Sequence, residues 1–242
     1  MDDTPNSDEI SYQILKDDYS QFDINFKVIV LGNPGVGKTC LTSKAIKNEF
    51  LPNHQPTLGF EFFSFMIRIE NKTIKIQIWD TCGQEIYRSL ISNFYKKSSL
   101  AFIMYSIDDR NSFNDIEKWL KDLKSNSSPD CKIFLIGNKA DLEENRKVSQ
   151  EEGEELCKKF GFQYFIETSA KTGFNAKEIF VKCALILYKD FIKSEDEFGN
   201  PKYYSMSSRS TYIDSKNKTK NETSILRKPS KKKKKTKKKG CC

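Results

Sequence analysis

Apolar and polar positions alternate along the middle of the chain in two distinct periods. Residues 26–31 are apolar and largely β-branched, interrupted only by Lys27, and they stop at Gly32. That is the pattern of a strand buried in a parallel sheet. Residues 60–69 and 72–80 flank Asn71, a turn residue. In the second run Ile74, Ile76 and Ile78 alternate with Lys75 and Gln77, so it reads as a half-covered hairpin strand. Three later runs, 100–107, 131–136 and 163–166, predict further core strands, six in all.

Between the strands the period lengthens. Residues 38–48 follow a glycine-rich turn and predict a helix. Over 112–125, Phe113, Ile116, Leu120 and Leu123 fall on one face. The stretch 149–160 opens with Ser149 and Glu152, the Ser-x-x-Glu pattern of a capping box. Over 175–192, Ile179, Phe180, Cys183, Leu187 and Phe191 lie along one stripe. Strands alternating with helices imply an α/β fold, a six-stranded, mostly parallel sheet with helices on both faces. The folded domain is expected over 26–193. Beyond it Ser, Thr, Asn and Lys dominate 194–242, where no packed core is expected.

The chain has 242 residues, enough for one domain with appendages and a core that needs no disulfide or metal. Its net charge of +8 conceals an asymmetry. Residues 1–25 hold seven acids and one lysine, whereas residues 194–242 hold 15 Lys+Arg and five acids. Such blocks mark disordered interaction segments more often than folded structure. No apolar run approaches the ~18 residues of a membrane span, and the first residues lack the basic start and apolar stretch of a secretory signal. The single histidine, His54, excludes histidine-based triads and most metal sites. None of the seven cysteines forms a CxxC pair, so they read as thiols in a reducing compartment.

Gly32-Asn33-Pro34-Gly35-Val36-Gly37-Lys38-Thr39 fits G-x-x-x-x-G-K-[ST] between a strand and a helix, the context this motif requires. Glycines let backbone N–H groups turn inward around phosphate oxygens, with a helix N-terminus behind them. Lys38 is expected to reach the β- and γ-phosphates and Thr39 to offer its hydroxyl to Mg²⁺. The motif alone names neither base nor reaction.

Asn138-Lys139-Ala140-Asp141 follows a strand directly. A carboxylate at Asp141 can accept from the N1–H and exocyclic amine of guanine. Adenine presents an acceptor at N1 and no amine at C2, so it would leave the carboxylate unpaired, which is how such sites select. Asn138 and the stem of Lys139 would hold the ring and its loop. Asp80-Thr81-Cys82-Gly83 fits D-x-x-G at a strand end. Asp80 can hold Mg²⁺ there, Gly83 can offer its N–H to a γ-phosphate oxygen, and Gln84 is placed to orient an attacking water.

Taken in order, GNPGVGKT, Thr57 within PTLGFEF, WDTCGQE, GNKAD and ETSAK resemble the motif series of a Ras-superfamily small GTPase. LGFEF (58–62), KIQIWDT (75–81), QEIYRS (84–89) and FYKKS (94–98) are similar to the switch segments of its Rab family. The resemblance covers about residues 22–192 and resumes at Cys241-Cys242. It implies a P-loop small G domain that binds GTP or GDP with Mg²⁺ and hydrolyses GTP slowly. Lys38, Thr57 and Gln84 would act in hydrolysis, and Thr39, Thr57 and Asp80 would hold the metal. The nucleotide would lie against Gly35, Val36, Gly37, Lys38, Thr39, Cys40 and Gly83. Phe50 would pack edge-on to guanine, and Ser169-Ala170-Lys171 would bring the Ala170 N–H to its O6. Phe62, Trp79 and Phe94 match the aromatics of the effector face. Three residues depart from the family pattern. Pro34 removes an N–H from the phosphate loop and leaves open a relative that binds nucleotide without useful turnover. Cys82 stands where alanine is usual, and Phe94 where tyrosine is.

Residues 231–239 contain eight lysines in nine positions, and Gly240-Cys241-Cys242 follows. The Cys-Cys end resembles the double-geranylgeranyl acceptor of Rab proteins, and stable anchoring takes two signals, such as two lipids or a lipid plus a basic patch. As a coil, residues 194–242 would span about 35–42 Å. The resemblance implies a monomer on the cytosolic face of an endomembrane, with a cytosolic pool. Its implied partners are guanine nucleotide, anionic membrane, an exchange factor, a GTPase-activating protein, an escort protein, a GDP-dissociation inhibitor and effectors, with no nucleic acid. A lysine run by itself also suits nuclear import or nucleic-acid binding.

Overall fold

The computed structural model describes residues 10–16, 21–50, 57, 59–82 and 94–198, with side chains through residue 194. The chain divides into two compact units, Met1–Ser208 and Arg209–Cys242, and every described residue lies in the first. Its strands are β1 (Tyr12–Ile14), β2 (Ile24–Gly32), β3 (Phe60–Ile69), β4 (Lys72–Thr81), β5 (Leu100–Ser106), β6 (Lys132–Asn138) and β7 (Tyr164–Glu167). The helices are α1 (Lys38–Lys47), α2 (Arg110–Asn114), α3 (Ile116–Asn126), α4 (Gln150–Phe160) and α5 (Glu178–Phe198).

One sheet of order β1-β3-β4-β2-β5-β6-β7 joins the strands. The ladders β2–β4, β2–β5, β5–β6 and β6–β7 are parallel, and β1–β3 and β3–β4 are antiparallel. Side-chain alternation divides the central strands between two cores. Phe26, Val28 and Val30 of β2, Phe102 and Met104 of β5, and Phe134 and Ile136 of β6 pack on one side with Leu41 of α1 and Phe180 and Leu187 of α5. Ile29, Leu31, Ile103 and Leu135 turn to the other side, against Trp119, Leu120 and Leu123 of α3 and the half-buried Leu156 and Phe160 of α4. Helices therefore cover both faces, as the sequence predicts. At roughly 1.5–3 kcal/mol for each fully buried aliphatic or aromatic side chain, these two layers supply the main stabilisation.

The connection after β2 crosses one face and the connection after β5 crosses the other. This switch opens a crevice beyond the carboxyl ends of neighbouring strands, where α/β sheets bind ligands. Gly32 lies at that end of β2. A Cβ there would approach the carbonyl oxygen of Met104 to 2.3 Å, so only glycine lets β2 leave the sheet so close to β5.

Four features differ from the expected pattern. Six strands are predicted and seven are seen. The additional one, β1, comes from the acidic head and pairs antiparallel with the edge of β3, Tyr12 opposite Ile69 and Ile14 opposite Ile67. The helix predicted over 112–125 begins at Arg110, capped by the Asp109 carboxylate on the Asn111 N–H, and is interrupted at Asp115. The last helix starts at Glu178 because Asn175 is left-handed (φ 55°), and its amide donates to the Glu167 carbonyl at 2.8 Å. It continues to Phe198, past the domain end expected at 193. The predicted capping box of α4 forms in both directions. Glu152 N–H donates to Ser149 Oγ at 3.2 Å, and Ser149 N–H donates to Glu152 Oε2 at 2.9 Å.

Candidate functional site

Between β2 and α1 the loop Gly32–Gly37 turns back on itself. Gly37, φ 91°, is the N-cap of helix α1, whose first turn has no side chain capping it and no acidic residue. Its first N–H groups are therefore free for an anion, and the helix dipole favours one. A Cβ on Gly37 would lie 2.5 Å from Asn138 Nδ2, so this position requires glycine for both its backbone angle and its close approach to β6.

Lys38 is only 6% exposed. Its ammonium donates to the carbonyls of Gly32 at 2.8 Å and Asn33 at 2.9 Å. Burial pulls its pKa down to about 8, against the charges of Asp80 and Cys82, which raise it. A buried ammonium whose hydrogen-bond partners are two neutral carbonyls suits an anionic ligand, which would add negative charge beside it.

The next residue faces the metal-type pocket. Thr39 Oγ1 donates to Asp80 Oδ2, and Thr57 Oγ1 lies 2.8 Å from Thr39 Oγ1. With the Thr39 proton committed to Asp80, Thr57 is the donor of that pair. Asp80 is fully buried at the end of β4, level with Val30 of β2. Its Oδ1 has no partner among the described residues. Desolvation raises its pKa to about 6, partly offset by the Thr39 hydrogen bond and Lys38 and increased by Glu61. Two hydroxyls and one orphaned carboxylate oxygen, all hard donors, fit a small divalent cation such as Mg²⁺.

At the carboxyl end of β6 stands a second constellation. Asn138 is fully buried and fully committed. Nδ2 donates to the Val36 carbonyl at 2.8 Å, and Oδ1 accepts from Thr168 Oγ1 at 3.1 Å and from the Ala170 N–H at 3.3 Å. Lys139 is left-handed, φ 65°, which turns the chain so that Ala140 N–H donates to the Thr168 carbonyl at 2.9 Å. Asp141 accepts from Ser169 Oγ at 2.5 Å, and the exposed Lys171 ammonium stands 3.8 Å from its other oxygen. The two loops so tied together hold the Asp141 carboxylate in place, ready to accept a pair of N–H donors. Lys139 Nζ is 3.6 Å from Asp108, so its aliphatic stem lies across the loop.

Among the residues singled out from sequence, the structure thus groups Lys38, Thr39, Thr57 and Asp80 at the phosphate end. It groups Asn138, Lys139, Asp141, Ser169, Ala170 and Lys171 at the base end. Ala170 N–H, expected on a base oxygen, is turned here to Asn138. Gly35, Val36, Gly37 and Cys40 line the loop and first turn, and Phe50 is half-buried against the core on the α1 side. Gly83, Gln84, Cys241 and Cys242 lie outside the described residues. The five cysteines among the described residues are free thiols.

On the β3–β4 hairpin Phe62, Trp79 and Phe94 do meet. Ring centroids are 5.5 Å apart for Phe62–Trp79 and 5.2 Å for Trp79–Phe94. Sequence reasoning missed a fourth member. The Phe60 ring lies tilted 5.4 Å from Trp79 and 4.6 Å from Phe94 and remains 46% exposed. Its signal was the alternation Phe60-Glu61-Phe62, which puts both rings on one face of β3. Thr168 and Asn33 were also missed. They act through a hydrogen bond to Asn138 and through contacts to helix α3, and nothing in their local pattern announces either. A family model described as the Ras family matches residues 27–189.

Proposed function

The chain belongs to the Ras family, that of the small GTP-binding switches, and on that premise we propose that it is a slow GTPase of the Rab type, working on an intracellular membrane. The observation that carries the nucleotide reading is that one hydrogen-bonded frame joins a phosphate-type loop to a guanine-type carboxylate. Val36 of the loop and Asn138 of the base end share a single bond.

The chemistry follows from where the groups sit. Lys38, now on two backbone carbonyls, transfers its ammonium to β- and γ-phosphate oxygens and gains a full counter-charge. The first-turn N–H groups of α1 meet the same oxygens. Thr39, Thr57 and Asp80 would hold Mg²⁺, which supplies neutralisation of charge on the phosphates. Gln84 would orient the water that attacks the γ-phosphorus while the bond to the β-phosphate oxygen breaks. Loss of the γ-phosphate takes away the anchor of Thr57, and the segment carrying it relaxes; that is the switch. Among the described residues no arginine reaches the site, and a partner that supplies one would add on the order of 10³–10⁵ in rate.

The Rab assignment draws on the switch strings and on the aromatic surface of Phe62, Trp79 and Phe94, where effectors would bind the GTP form. Membrane attachment draws on Cys241-Cys242 as geranylgeranyl acceptors and on the lysine run, each lysine adding up to about 1 kcal/mol near an anionic leaflet. Vesicle trafficking is the process such a protein regulates, served by an exchange factor, a GTPase-activating protein, an escort protein and a GDP-dissociation inhibitor.

The test starts from nucleotide-free protein with Mg²⁺. Tight GTP and GDP binding, no comparable ATP binding, and slow single-turnover GTP hydrolysis that falls severalfold in Gln84→Leu with GDP affinity intact support the reading. Equal affinity for ATP, or none for either, removes it. Absence of turnover in both the natural chain and Pro34→Gly removes the hydrolytic part. A tagged chain that stays on membranes after loss of Cys241 and Cys242, or that gathers in the nucleus, removes the anchoring part.

A further inference from the structure

We propose that Asn33 is a positioning residue through which helix α3 sets the phosphate loop and, with it, the Lys38 ammonium. The proposal rests on the nucleotide reading above and extends it to a residue outside the phosphate contacts. Asn33 uses both ends of its side-chain amide on one helix. Nδ2 donates to Asp115 Oδ2 at 2.8 Å, and Oδ1 accepts from Trp119 Nε1 at 2.8 Å. Its backbone carbonyl accepts from Lys38 Nζ at 2.9 Å. Through its side-chain amide and its backbone carbonyl, this one residue therefore connects a helix to the ammonium that would bind the β- and γ-phosphates.

Both anchors are firm. Trp119 is 1% exposed, packed in the core between α3 and the sheet. Asp115 is the break between α2 and α3, with φ −79° and ψ −5°, so its carboxylate is set by the junction of two helices; its other oxygen pairs with Lys118. On the other side, Pro34 fixes the next φ and brings no N–H of its own. The loop thus has little freedom to rearrange independently of α3. The recognition is also chemically narrow. It needs a donor toward Asp115 and an acceptor toward Trp119 on two atoms of one side chain, which an amide supplies and a carboxylate or a methyl group does not. Any partner that shifts α3 would move the Lys38 cradle through this clamp.

The test reads dissociation of fluorescent GDP and of a fluorescent non-hydrolysable GTP analogue from the full chain, with melting curves alongside. Asn33→Ala removes two part-buried hydrogen bonds and should speed dissociation of both about five- to tenfold. Trp119→Phe keeps an aromatic side chain and removes the donor, so it should give part of that effect alone and none on top of Asn33→Ala, as expected for groups acting as one unit. Asn33→Asp sets two carboxylates against each other and should be at least as impaired. Combining Asn33→Asp with Asp115→Asn exchanges donor and acceptor across the same contact and should return dissociation to within about twofold of the natural chain, as restored complementarity requires.

Unchanged dissociation in Asn33→Ala overturns the proposal. So does a double exchange no better than Asn33→Asp, because a residue needed only for stability would lower the melting temperature without restoring nucleotide retention when polarity is exchanged. A natural chain that holds no guanine nucleotide overturns the nucleotide reading itself, which separates the two failures.

Discussion

Asn138 donates from Nδ2 to the carbonyl of Val36 across 2.8 Å and 102 positions of sequence, and so makes the two ends of the pocket one object. Asn138→Ala removes that bond along with those from Thr168 and Ala170. Three buried groups lose their partner, and a loss of about 2–4 kcal/mol of stability is expected. Denaturant unfolding of the nucleotide-free protein checks the figure. Nucleotide release should quicken for the phosphate and the base ends together, because neither is held independently.

Gly37 and Gly35 give a matched pair. Both have positive φ, 91° and 77°. A Cβ on Gly37 would strike Asn138 Nδ2 at 2.5 Å, whereas one on Gly35 would meet nothing within 4 Å. Gly35→Ala should therefore cost the backbone strain alone, roughly 1–2 kcal/mol. Gly37→Ala adds the clash and should cost at least ~1 kcal/mol more, as overpacking does. Melting curves of the two variants, compared directly, read the difference; equal losses would show that the Asn138 contact yields freely.

Metal affinity should depend on pH through Asp80. Burial raises its folded pKa to about 6 from the ordinary aspartate value of 3.8, so between those values the folded, metal-free protein holds a proton that the unfolded chain has released. Metal-free stability from this group therefore falls as pH rises from near 4 to near 6. Cation binding requires the carboxylate, so apparent Mg²⁺ affinity should fall by up to about tenfold per pH unit below 6, proton and metal competing for one site. Asp80→Asn should abolish that pH dependence, weaken Mg²⁺ binding at neutral pH and leave the metal-free protein at least as stable. Calorimetric Mg²⁺ titrations of nucleotide-loaded protein at several pH values measure it.

Glu152 should show the opposite sign. The Arg110 guanidinium, the Ser149 N–H and the Arg110 charge hold its pKa down to about 2. Its contribution to stability is then present above the ordinary glutamate range and fades as pH falls from about 4.5 toward 2. The side chain is 40% exposed, so solvent screening keeps the effect modest, and about 0.5–1 kcal/mol is expected at neutral pH for Glu152→Gln. The two proteins should converge in stability as the solution is acidified.

Much of the site was legible because its chemistry fixes residue types at fixed spacing. Lys38 and Thr39 follow a glycine loop, Asp80 ends a strand, and Asp141 stands three residues after Asn138. Strand positions were legible for a related reason, since β2, β5 and β6 are largely buried on both faces and read as near-continuous apolar runs. What sequence hid depends on distance or on context. Asn33 meets Trp119 over 86 positions, and its local pattern is only that of a turn. Strand β1 has the right alternation in Tyr12-Gln13-Ile14, but seven acids nearby outweighed three residues in any reading by composition. The break at Asp115 was invisible because the helical period runs through it, and only its side chain's commitment to Asn33 sets it apart.

The short strand β1 has a practical side. It covers the outer edge of β3 at Ile67–Ile69, with Leu15 N–H reaching the Met66 carbonyl at 2.9 Å. A preparation trimmed to begin at Ile24 would keep every group at the nucleotide pocket and still lay bare a row of ladder donors and acceptors flanked by isoleucines. Such a margin invites a neighbouring molecule to pair with it, so a shortened version can be expected to clump while remaining fully competent to hold its ligand.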